Sequence, residues 1–85
     1  MDASGVIDAV RSQLAVEDWD GATIQIVEEG VREEGGWWHV PVFPDREFER
    51  RYRYYEQLTV VEDAVKQAYG VEVLLVPCAA PVPAN

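Results

Sequence analysis

Residues Gly35-Gly36-Trp37-Trp38-His39-Val40-Pro41-Val42-Phe43 set two tryptophans side by side in a run rich in aromatic and β-branched residues. Such a run, entered through two glycines, reads as a strand. Successive side chains of a strand point to opposite faces of the sheet. One tryptophan therefore enters the core while its neighbour leaves through the other face. Trp38, Val40 and Val42 form one set, and Trp37, His39, Pro41 and Phe43 the other. Alternation alone leaves open which set is inside. In either case a large aromatic stands on the second face, which calls for a cover such as another copy of the chain or a different protein.

The size of the chain limits how that cover is supplied. With 85 residues, 48% of them hydrophobic, there is material for one compact core and little more. A domain of this size buries a modest share of its surface, so dimerisation is a natural supplement. The net charge of −9 disfavours nucleic-acid phosphates and anionic membranes, which are held by clustered Lys and Arg. It suits solubility or a basic protein partner. Cys78 is the single cysteine, so no intrachain disulfide forms. The start of the chain lacks the basic and apolar regions of a signal peptide, and no apolar stretch reaches membrane-spanning length. A cytoplasmic location is the default expectation.

Periodicity supplies the remaining elements. Ser4 is a candidate N-cap, and Val6, Ile7, Val10 and Leu14 follow at helical spacing, giving a first helix over residues 5–18. Trp19 is expected to fold back over its end. Residues 22–28 alternate, with Ile24 and Ile26 on one face and Thr23, Gln25 and Val27 on the other, and read as a strand. Residues 30–36 are a turn, so this strand and the tryptophan strand make an antiparallel hairpin. Pro41 lacks the N–H of a ladder bond, which assigns the tryptophan strand to an edge.

Phe48, Tyr52, Tyr55, Leu58, Val61, Val65 and Ala68 then trace the apolar stripe of a second helix over residues 47–69. The capping-box pattern Thr59-Val60-Val61-Glu62 offers a place where that helix breaks. Gly70 ends it. Residues 71–76 form a third strand, apolar on both faces apart from Glu72, as in a strand covered on both sides. The expected fold is α+β, a two-layer α/β sandwich of order α-β-β-α-β. Its three-stranded, mainly antiparallel sheet has spatial order 2-1-3, with both helices on one face. Residues 1–77 make the single domain, and residues 78–85 a flexible Pro/Ala tail.

Two constellations stand out. The first is the outer face of the tryptophan strand, with Trp37, His39 and Phe43 as apolar contacts. The second is residues 46–55, which carry four arginines and two glutamates, whereas residues 1–45 carry two basic and ten acidic residues. Arg50, Arg51, Arg53 and Tyr54 in that segment are residue types enriched at protein interfaces. Glu28, Glu29, Glu33 and Glu34 form an acidic hairpin that the basic segment of a second copy would complement.

Catalytic and ligand signatures are weak. The glutamates lack the spacing of a calcium loop, and one histidine with one cysteine falls short of a zinc site. His39 and Cys78 are the sole residues with which to build a thiol–base pair. Gly30 and Gly35 have the separation of P-loop glycines, but Gly36 and Trp37 follow instead of Lys and Ser or Thr. No catalytic, cofactor or metal site is assigned. The reading is a small acidic non-catalytic protein-interaction module, homodimeric, with an unknown protein partner and neither nucleic acid nor membrane. The alternative is an antitoxin- or immunity-type inhibitor of a basic enzyme.

Overall fold

The structure, a computed structural model, describes residues 2–19, 21–46 and 50–78. Helix α1 spans Ala3–Val16. Its N-cap is Asp2 rather than Ser4: the Asp2 carboxylate accepts the Gly5 N–H at 2.9 Å. Either residue type caps well, and the carboxylate adds a favourable interaction with the helix dipole. Val6, Ile7, Ala9, Val10 and Leu14 give α1 its buried stripe. No glycine closes the helix. Trp19 does so, turning back so that its indole N–H donates to the Leu14 carbonyl at 2.7 Å in a buried position.

Strand β1 is Ile24–Ile26 and is followed by a 3-10 turn at Glu28–Gly30. A second short strand, β2 at Arg32–Glu34, occupies part of what the sequence reads as a turn. It leads through Gly35 and Gly36 into β3, Trp37–Pro44. These glycines have φ of 59° and 84°, the signs demanded at both central positions of a type I′ hairpin turn. β1 and β2 both pair antiparallel with β3, one with each half of it, so they act as one interrupted strand. After helix α2, Arg51–Tyr69, strand β4 at Val73–Pro77 pairs with β3 in parallel.

β3 is thus the central strand, and neither the 2-1-3 order nor the edge position of the Pro41 strand is correct. The local reason is visible at Pro41. The Pro41 carbonyl accepts the Val27 N–H at 2.9 Å, so the missing N–H would have pointed to the same side. There the neighbouring strand has left the ladder as the 3-10 turn, and no partner is deprived. Gly30 makes this fit: a Cβ there would lie 2.9 Å from the Pro41 ring. A proline is accommodated in a central strand because its neighbour is broken opposite it.

α2 is continuous through Thr59, whose hydroxyl donates to the Tyr55 carbonyl instead of capping a new helix. Gly70, with φ of 69°, ends it as expected. Phe48, assigned to the start of this helix, lies outside the described residues. Both helices pack on the same face of the sheet, as the α+β two-layer arrangement requires. Val40 and Val42 of β3, Val73 and Leu75 of β4, and Tyr54, Leu58, Val61 and Val65 of α2 close the core against α1. Each fully buried valine contributes about 1.5 kcal/mol or more of transfer free energy. Cys78 still belongs to the fold, its N–H donating to the Val42 carbonyl at 2.9 Å. The rest of the expected tail, residues 79–85, lies outside the described residues.

Candidate protein-interaction face

Burial settles the phase of β3. Val40 and Val42 are fully buried and Trp38 packs against the core, whereas Trp37 is 44% exposed. Register then assigns the neighbouring strands. Leu74 lies beside His39 and Val76 beside Pro41. Gln25 lies opposite Phe43, Arg32 opposite His39 and Glu34 opposite Trp37. Side chains paired across a ladder share a face. The outer face therefore presents Trp37, His39, Pro41 and Phe43 from β3, with Leu74 and Val76 from β4. Leu74 is 42% exposed, and neither helix covers this face.

Leu74 and Val76 are the members that the sequence reading did not place here. Their signal was present: β4 is apolar on both sides, the pattern of a strand with a cover on each face. The described residues supply one of the two covers.

The polar part of the face is one small network. The Glu34 carboxylate accepts from Arg32 Nε at 2.8 Å, and His39 Nε2 lies 3.8 Å away. The Arg32 hydrogen bond and charge hold the Glu34 carboxyl below its usual range. This network sits at the hairpin margin and leaves the middle of the face apolar.

The sheet edges are less inviting than the face. Trp38 N–H donates to the Glu72 carbonyl and Cys78 N–H to the Val42 carbonyl, so alternate residues of β4 look toward β3. Leu75 looks outward, and its N–H is taken by Glu62 Oε2 of α2 at 2.8 Å. Pro77, also outward, has no N–H to offer. The opposite edge is broken by the 3-10 turn, and β2 is short and charged. Capped, interrupted and charged edges resist strand addition.

The second sequence-assigned constellation divides. Arg50, Arg51 and Arg53 are exposed at the start of α2. Tyr54 is not a surface residue: it is 6% exposed, and its ring meets Trp19 edge-on with centroids 6.2 Å apart. Burial pushes its phenol up to about 12. The segment also lies far from Trp37. α2 begins beyond the Pro44 end of β3, seven residues or about 23 Å from Trp37 along the strand, and in the helix layer rather than on the outer face. The arginines and the tryptophan do not form one continuous patch.

His39 and Cys78 are also separated. Cys78 Sγ donates to the Val42 carbonyl at 3.4 Å, three residues from His39 along β3, and burial raises its thiol pKa. Among the described residues no group of three or more His, Cys, Asp or Glu is placed to hold a metal ion. No helix among them is long and apolar enough to cross a membrane. A shallow groove between the end of α1 and β1 is lined by Leu14, Trp19 and Ile24, with Arg11 and Glu17 as its charged groups. It joins no nucleophile to a base.

Comparison with protein-family models, curated proteins and solved structures gives no match.

Proposed function

We propose that this protein is a non-catalytic protein-interaction module whose contact surface is the outer sheet face. The observation that supports the reading is the continuous apolar strip of Trp37, Leu74, Pro41, Val76 and Phe43 on a face that neither helix covers. Trp37 and Leu74 are exposed and Pro41, Val76 and Phe43 half-buried, and a contiguous apolar area that includes an exposed tryptophan is a usual mark of an interaction site. The capped edges support a face-on contact. The separation of His39 from Cys78 supports a binding role over thiol chemistry. Two occupants fit the sequence reading, a second copy in a homodimer and a basic protein that the chain covers as an inhibitor would. The acidic composition favours the second as a class of partner.

The test compares the native chain with Trp37→Ser/Leu74→Ser, two exposed positions whose replacement spares the core. Sedimentation velocity reads self-association, and affinity capture from the native host at low salt reads partners. A dimer, or a stoichiometric partner, that is present with the native chain and lost with the variant is the expected result. A monomer that captures the same proteins with and without the variant overturns the reading.

A further inference from the structure

We propose that the free edge of β1 takes up a short extended segment of another protein as an added antiparallel strand, with apolar residues at alternate positions followed by a cation. This contact is separate from the outer face. The Thr23 carbonyl accepts the Asp45 N–H, and the Val27 N–H donates to the Pro41 carbonyl, both at 2.9 Å. In an antiparallel ladder, residues bonded to the partner strand alternate with residues that are not. Thr23, Gln25 and Val27 therefore bond toward β3, while the N–H and C=O groups of Ile24 and Ile26 point away from it. Among the described residues no strand lies on that side and nothing bonds to these groups. The guards of the other edge segments stop short of them. Glu62 caps β4, and charged side chains fill β2, whereas β1 is Ile24-Gln25-Ile26. The 3-10 turn closes the opening after Val27, so the edge admits a strand of only a few residues.

The groove between α1 and β1 lies beside this edge and holds about 370 Å³, within the range of about 300–1,000 Å³ typical of ligand pockets. Ile24 and Ile26 pack toward the core, so residues paired with them turn their side chains to the same, helix side. There they meet Leu14 and Ala15 of α1, which line the groove. Its two charged groups are not equivalent. Arg11 is engaged with Glu28, just past the Ile26 end of β1. Glu17 lines the groove with Ala22, before the Ile24 end, and has no ion pair among the described residues. An antiparallel segment with two leucines and a lysine at alternate positions sets the leucines opposite Ile26 and Ile24. Its lysine then follows near Ala22, on the side of Glu17. Such strand addition draws affinity from main-chain hydrogen bonds and specificity from the alternate side chains. A second copy of β1 does not meet this description. Its own Ile24 and Ile26 side chains are packed against its own core and would leave the groove unfilled.

The probe is a short synthetic peptide with Leu-Thr-Leu-Thr-Lys at its centre. A second form carries N-methyl groups on both leucine nitrogens, which leaves the protein itself unchanged. Calorimetry with the native chain should show binding that N-methylation weakens about tenfold or more, through the loss of two hydrogen bonds. Exchange of the Ile24 and Ile26 amides should be faster than that of Gln25 in the free chain and should slow when the peptide binds. Glu17→Lys should weaken binding about twofold or more, and a peptide with glutamate in place of its lysine should recover the loss. Trp37→Ser should leave binding unchanged. No binding by the native chain, equal affinity for the methylated peptide, or protection confined to other amides overturns the proposal. Binding that disappears with Trp37→Ser places the peptide on the outer face and also overturns it, while leaving the reading of that face intact.

Discussion

Tyr54 shows how much one side chain's phase on a helix decides. Residues 52–55 contain three tyrosines, and spacings of three or four from Leu58 admit Tyr54 or Tyr55 equally. The stripe drawn from the sequence took Tyr52 and Tyr55, but both are exposed and Tyr54 is the buried one. The choice follows from Trp19, which caps α1 through Leu14 and turns its ring edge toward Tyr54. The same long-range contact makes a testable electrostatic statement. Burial disfavours the phenolate and raises the Tyr54 pKa from 10.0 to about 12. A group with a raised folded-state pKa contributes stability that is full below the unfolded value and is lost as pH rises through the folded one. Tyr54 therefore holds back alkaline unfolding up to about pH 10 and ceases to do so by about pH 12. In an absorbance titration of phenolate, one of the four tyrosines should ionise last and together with unfolding. A phenolate titration that is complete while the chain is still folded would show that the ring is not buried.

At the level of elements, the edge of β4 is held by one carboxylate. Glu62 reaches from α2 to the outward Leu75 N–H, and burial raises its pKa, partly offset by that hydrogen bond. Since the folded-state pKa is raised, the charged form is the less favoured one in the fold. The Glu62 contribution to stability should increase as pH falls from neutral through its titration. Glu62→Gln keeps an acceptor for Leu75 and removes the titration, so its urea midpoint should match or exceed that of the native chain at neutral pH. Glu62→Leu leaves the N–H unsatisfied and should cost about 1–3 kcal/mol, with faster exchange of the Leu75 amide. Equal stability for the Leu and Gln variants would show that the bond does not guard the edge. None of this was legible in the sequence, where Glu62 was a possible cap for a new helix. The helices, the two Ile of β1, the alternation of β3 and the two-layer class were legible, because each leaves a period in the chain. β2 was not, since Arg32, Glu33 and Glu34 are all exposed and carry no alternation. The central place of β3 was hidden for a different reason. The rule that sends proline to an edge applies to an unbroken neighbour, and the break opposite Pro41 is a property of the pair.

For the whole molecule, the acidic excess acts on stability as well as on partners. Sixteen acidic residues face seven basic ones, so one-to-one pairing leaves nine carboxylates over. Arg11–Glu28, Arg32–Glu34 and Lys66–Glu72 all join exposed side chains, and such pairs contribute little each. The remaining carboxylates repel one another more strongly in the compact chain than in the unfolded one. Salt screens both effects, with a Debye length of about 30 Å at 0.01 M and about 3 Å at 1 M. Because diffuse repulsion extends over longer distances than the pairs, its relief should dominate. Urea unfolding followed by tryptophan fluorescence is therefore expected to shift to a higher midpoint between 0.01 and 1 M sodium chloride, with the slope unchanged. The same salt should weaken capture of a basic partner at the sheet face, so that stability and binding move in opposite directions. A midpoint that falls with salt would mean that ion pairing outweighs the repulsion. It would also remove the electrostatic reason for preferring a basic occupant over a second copy.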